Sequence, residues 1–298
     1  MKADLHYHGA IGMHEPWLSI QGYGAKNLMG LVYDAAMEKE VDVIAIISER
    51  AENIVKGSEH DRFNYLFREA ERLPKHYFRF KKLGDKDIAF IFEKDSKNRQ
   101  LIVLNGQTVA INEGGKRYDH LVIGSNQVPN NKSLLETLEY CKENGLIQIL
   151  EHPFYESHFG LGEKLAEEYL SYYDAVEGHN SQMAWPKWLS WIPLVGKANK
   201  SVNAKAQKFS WKQSMPWIAD SDGHRIKDVG ISTIEFSEAG LDILSEEKLL
   251  ASLKLLIRRD NFKNNTSYQP IPDWLSWTGQ FMYGVVKGEK REVKRDFK

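Results

Sequence analysis

Asp4-Leu5-His6-Tyr7-His8 decides how the rest of the chain is read. Lys2 to His6 reads as a short strand running into a loop, and on extended backbone residues two apart point the same way. His6 and His8 therefore offer two imidazoles to one point, and neutral imidazole is the commonest transition-metal ligand. A related pair stands far downstream in Ser221-Asp222-Gly223-His224, where a carboxylate and an imidazole are again two apart. It follows an apolar run, Met215 to Ala219. Two strand-end pairs at opposite ends of one domain suit a closed barrel that brings its first and last strands together around an ion. Between them lies His152, in Leu150-Glu151-His152-Pro153.

Composition bounds the answer. The 298 residues suit one large α/β domain with elaborations, or two small domains. Lys and Arg (40) nearly cancel Asp and Glu (41), so overall charge favours no class of partner. A single cysteine, Cys141, rules out an internal disulfide framework and fits a reducing compartment. No apolar leader and no run long enough to cross a bilayer appear, so the expected localisation is cytoplasmic.

The chain alternates strand and helix patterns. Buried strands are expected at 41–47, 101–104, 146–150, 174–177, 215–219 and 230–236, each delivering polar residues at its C-terminal end, where barrel sites lie. Helices are expected over 25–39, 52–73, 133–144, 163–173, 198–210 and 245–260. From 77 to 124 the period changes to two, and Asp95 to Asn98 reads as a hairpin turn.

The motifs DLHYH, EHPF and SDGH, in this order, resemble the PHP (polymerase and histidinol phosphatase) superfamily of metal-dependent phosphoesterases, over about residues 1–240. The resemblance implies a distorted (β/α)7 TIM-like barrel of the PHP type, here with a β-hairpin elaboration and a Trp-rich insertion. The barrel is expected over 1–260, including the insertion at 183–199, and a C-terminal aromatic segment with a basic tail over 261–298. The implied metal ligands are His6, His8, His14, Glu49, His120, His152, Asp222 and His224. The implied cofactors are one to three divalent ions, Zn, Mn or Fe. Asp222, Glu49 and His224 are the expected catalytic groups. Glu177, His179, Asn180 and Arg225 are expected around the ions or the substrate.

Two departures stand out. Where the family strand ends in Asp-His, this chain has Ser48-Glu49; where a Gly-x-Glu supplies a carboxylate bridging two cations, it has Gly106-Gln107-Thr108. Glu113 falls in a turn and reads as solvated. The resemblance implies hydrolysis of a phosphorylated small molecule, or of a nucleotide or nucleic-acid end, by a metal-activated water. The alternative is a catalytically degenerate scaffold that binds nucleic acid or a partner. The amidohydrolase barrels also begin with His-x-His but need a metal-bridging Lys, and no buried Lys falls at a strand end. Trp-Leu-Ser-Trp occurs at both 188–191 and 274–277. Trp185–Trp191 and Trp274–Trp277 either pack together or form a contact for a partner or a membrane surface.

Overall fold

The computed structural model describes residues 1–9, 28–48, 61–76, 78–94, 99–155, 159–185, 199–236 and 240–275. His14, Glu49, Trp188, Trp191 and Trp277 lie outside the described residues.

In chain order the elements are β1 (Lys2–Tyr7), α1 (Leu28–Glu38), β2 (Val41–Ser48), α2 (Arg62–Arg72), β3 (Phe78–Lys82), β4 (Ala89–Lys94), β5 (Gln100–Glu113), β6 (Lys116–Ile123), α3 (Leu134–Glu143), β7 (Ile147–Leu150), α4 (Gly162–Glu168), β8 (Ala175–Asn180), α5 (Ser201–Gln213), β9 (Trp217–Asp220), β10 (Thr233–Phe236), α6 (Glu246–Arg258) and β11 (Phe262–Asn265). The sheet runs β11-β10-β1-β2-β5-β6-β7-β8-β9, with β3 and β4 hung on β5. It curls almost into a barrel. The β9 end returns to β1 through a Tyr7–Gly223 bridge and a hydrogen bond of 2.7 Å from His8 N to Gly223 O. The fold is a distorted, TIM-like α/β barrel.

Alternation sorts the side chains into two layers. Val43, Ala45 and Ile47 join Leu104, Leu121 and Ile149 in the barrel interior, closed at the bottom by Leu249, Leu250 and Leu253 of α6. Ile44 and Ile46 face outward and pack with Tyr33, Phe63 and Leu66 beneath α1 and α2. A strand buried on both faces has no polar alternation to show, which is why Val41–Ile47 reads as one apolar run.

Three expectations change. The strand expected at 101–104 runs on to Glu113 as one 14-residue strand, β5. Its hairpin with β6 turns on Gly114 and Gly115, both at positive φ (58° and 76°), as a two-residue turn between right-twisted strands requires. The 230–236 strand does not point toward the site, because β10 is antiparallel to β1 and its C-terminal end lies beside Met1. The sheet also continues past residue 260, where β11 pairs with β10.

The helix ends follow local chemistry. Ser133 caps α3 in a capping box with Glu136, and Ser245 caps α6. Glu113 accepts a 2.9 Å hydrogen bond from Leu134 N at the start of α3, so it serves that helix and not the barrel interior. Trp185 and Trp274 pack edge to face, 5.2 Å between ring centroids, both almost wholly buried. No helix of the described residues is long and apolar enough to cross a membrane.

Candidate metal centre

Strand ends of the barrel converge on a buried set of imidazoles and carboxylates. In β1 the pairing register with β2 shifts between Asp4 and Tyr7. This bulge sends Tyr7 into the outer layer while Leu5 stays inside, and it aims His6 and His8 at one centre. Asp4 pins the turn from behind, accepting from Ser221 N (3.2 Å) and Gly230 N (2.8 Å). Burial raises its pKa to about 6 against those hydrogen bonds.

Asp222 arrives from the loop after β9. Its Oδ1 lies 3.1 Å from His8 Nε2 and 3.5 Å from His6 Nε2, and the two Nε2 atoms are 3.2 Å apart. Donors held about 2.1 Å from one ion stand about 3.0–3.4 Å apart in octahedral or tetrahedral geometry. This triangle fits a single divalent cation. Asp222 has positive φ (44°), a strained backbone of the kind found at functional sites. The following glycine is required for space: a Cβ on Gly223 would come within 2.9 Å of Tyr7 and of Asp228.

Neighbours orient these donors. Glu177 Oε1 accepts from His6 Nδ1 at 3.0 Å, so once a cation displaces the proton on Nε2 its lone pair faces the centre. Asn180 Nδ2 donates to Glu177 Oε1 (2.9 Å) and Asp222 Oδ2 (3.0 Å), tying β8 to the β9 loop. Asp220 lies with Glu177 and His6 in a second buried group. His224 donates from Nδ1 to Asp222 O (2.9 Å), which leaves its Nε2 as an acceptor, and its ring stacks on His8 at 4.3 Å.

Arg62, at the start of α2, was not anticipated. Its Nη1 lies 2.7 Å from His8 Nδ1 and 3.0 Å from Ile47 O. A guanidinium only donates, so a neutral His8 keeps its proton on Nε2 and points it at Asp222. Cation binding at this corner therefore displaces a proton.

A third group joins Asp119, Glu151 and His152, all buried. Asp119 and Glu151 were also missed. On a strand one of two neighbours faces in, and the register between β5 and β6 decides which. Asp119 sits opposite Ala110, on the same face as Thr108; His120 sits opposite Val109. His120, expected as a ligand, instead packs edge-on to Tyr173, 5.4 Å away, in the outer layer, and burial lowers its pKa to about 4. A similar correction applies to His179. The β8–β9 register shifts between Glu177 and His179, so Glu177 and Asn180 point inward while His179 turns away to Ser267 O (2.9 Å) and Tyr268. Arg225 is held by Asp228 in a two-armed ion pair and by Asp273 O (2.8 Å), not aimed at the centre.

The electrostatics favour added positive charge. Burial alone would lower the His6 pKa, but Asp222, Glu177 and Glu151 outweigh it and lift it to about 10. His152 is raised to about 9 in the same way by Glu151 and Glu177. Burial pushes Asp222 up, yet the imidazoles of His6 and His8 hold it well below the usual carboxylate range. Burial and the adjacent Glu177 hold the Asp220 carboxyl well above that range. Buried carboxylates that retain protons on their imidazoles would be compensated equally well by a divalent cation, so the donor set fits a metal.

A family model described as PHP-associated matches residues 200–255. An uncharacterized protein of Methanocaldococcus jannaschii is 28% identical over 200 residues, covering 63% of this chain and 73% of its own. PsfC from Pseudomonas syringae has a similar structure, with a TM-score of 0.56 at 12% identity over 96% of this chain and 98% of that one. So does a two-domain protein from Bacteroides vulgatus containing a predicted PHP-like metal-dependent phosphoesterase, with a TM-score of 0.52 at 12% identity over 89% of this chain and 64% of that one. These likenesses cover the barrel fold as a whole and, within it, a PHP-associated match at residues 200–255.

Proposed function

We propose that the protein is a metal-dependent phosphoesterase. The observation that carries this reading is the triangle of His6, His8 and Asp222, whose spacing matches the edges of one cation's coordination shell. Bound divalent cations supply charge compensation at the phosphoryl oxygens and a water acidified toward neutrality.

The chain's own groups account for the rest. Glu177 and Asn180 hold His6 and Asp222 in fixed orientations, so no reorganisation is needed when an anion arrives. The Nε2 of His224 is positioned to receive or return a proton beside the first donor set, because its Nδ1 proton is committed to Asp222 O. Asp222 Oδ2, held by Asn180, can orient a water. A mixed imidazole and carboxylate set suits Zn, Mn or Fe. The proposed substrate class, taken from the family resemblance, is a phosphorylated small molecule, or a nucleotide or nucleic-acid end.

Elemental analysis of protein purified without chelator tests the reading, together with hydrolysis of bis-p-nitrophenyl phosphate and p-nitrophenyl phosphate in added Mn. At least one equivalent of metal, and turnover that His8→Ala and Asp222→Ala abolish, is the expected result. A second reading, a scaffold that has lost its chemistry, is favoured by Arg62 beside His8 and by Thr108 in place of a carboxylate. Absence of both metal and turnover across Mn, Zn and Fe would select it.

A further inference from the structure

The site has an acidic residue where none was expected, next to a position where one is missing. Thr108 on β5 occupies the position to which the resemblance assigns a bridging carboxylate. Its Oγ1 donates 3.1 Å to Glu151 Oε1, a carboxylate brought in from β7. The register makes this contact: Thr108 is opposite Leu121, Leu121 is opposite Ile149, and Glu151 lies two residues on, on the same inward face.

Glu151 Oε1 also lies 3.3 Å from His152 Nε2 and 3.8 Å from His6 Nε2. One carboxylate thus spans the two donor sets. Consecutive strand residues normally point to opposite faces. β7 ends at Leu150, and His152 takes a positive φ (24°) that brings its ring back beside Glu151. Glu177 Oε2 accepts the His152 backbone N–H and holds that turn. This strain puts two adjacent side chains at one point. Asp119 reaches the same group from β6.

Building on the metal-site reading above, we infer that Glu151 bridges two cations, one held by His6, His8 and Asp222 and the other by Asp119 and His152. Glu151, after β7, would then fill the role that the resemblance gives to a carboxylate on β5. A threonine at 108 accommodates this: it donates a hydrogen bond to Glu151 where a glutamate would set a second negative charge against it. Ions sharing a carboxylate sit about 3.5–4 Å apart, close enough to couple magnetically when both are manganese.

The test is manganese content and EPR on the full chain, stripped with chelator and reloaded with Mn(II). Two equivalents and an exchange-coupled signal are expected in the wild type. Glu151→Gln should lose one equivalent and show only an uncoupled manganese pattern. Should Glu151→Gln not fold by circular dichroism, Asp119→Asn is read in its place and should likewise lose the second ion. Thr108→Glu in a Glu151→Ala background should restore coupling. A coupled pair that survives Glu151→Gln overturns the inference. So does a wild type with a single manganese; if His8→Ala removes that one, the phosphoesterase reading still stands. A wild type that binds none overturns both.

Discussion

The two halves of the candidate metal centre are built differently. The terminal half, His6, His8 and Asp222, comes from the first strand and the loop after β9. Its donors stand in short fixed motifs, and closure of the barrel brings them together. The middle half, Thr108, Asp119, Glu151 and His152, comes from β5, β6 and β7, where antiparallel pairing interrupts the parallel order. There the donors depend on register. A local motif that carries its own geometry can be recognised in sequence, whereas a site assembled by strand alternation can change its residues and keep its shape.

The terminal half is the one whose loss should matter most. His8→Ala and Asp222→Ala should each reduce metal retention and phosphodiester turnover by at least about a hundredfold, more than the usual loss of a supporting partner. Metal titration calorimetry alongside kinetics checks this. If Glu151→Gln does equal damage, the two halves are not separable and the comparison fails.

On the proposed reading, in which the folded barrel and not the unfolded chain holds cations, chelation should next lower thermal stability. At a hundred times the Kd, manganese should contribute about 2.7 kcal/mol, visible as a melting transition that rises with metal concentration. A melting temperature indifferent to metal would mean that neither half binds it.

The partners around His8 sharpen the contrast within the terminal half. Asn180→Ala removes the amide that ties Glu177 to Asp222 and should weaken metal binding about tenfold or more. Arg62→Gln should act the other way. A glutamine oxygen can accept from His8 Nδ1, which favours the tautomer with a lone pair on Nε2, so affinity should rise by about tenfold. Weaker binding in Arg62→Gln would show that the guanidinium supports the ligand and does not compete with the metal.

The smallest effect belongs outside both halves. Ser133→Ala breaks the capping box of α3 and should cost about 1 kcal/mol in chemical denaturation, with metal content unchanged.

The legibility of the fold and site followed the same division. Apolar runs at β2 and β7, the cap at Ser133 and the stripe of α6 could be read directly, because each is a local pattern. So could the convergence of the two terminal pairs. Asp220 was within reach by the same rule of two: it precedes Asp222 as Asp4 precedes His6. Arg62 left no local signal, since its position at the head of α2 says nothing about His8. The aromatic segments were partly resolved by packing, with Trp185 against Trp274.

The sequence by itself determined the barrel class, its terminal metal motifs and the place where a carboxylate was missing. The barrel class and the paired motifs rest on periodicity and on spacings along one strand, which the backbone fixes without help from the rest of the chain; the missing carboxylate rests on the resemblance to the PHP superfamily. The tertiary structure decided which neighbour of each pair enters the site: Asp119 over His120, Glu177 over His179, and Glu151 beside His152. Side-chain facing in a sheet is set by register and bulges between strands distant in sequence, and a shift of one residue reverses it.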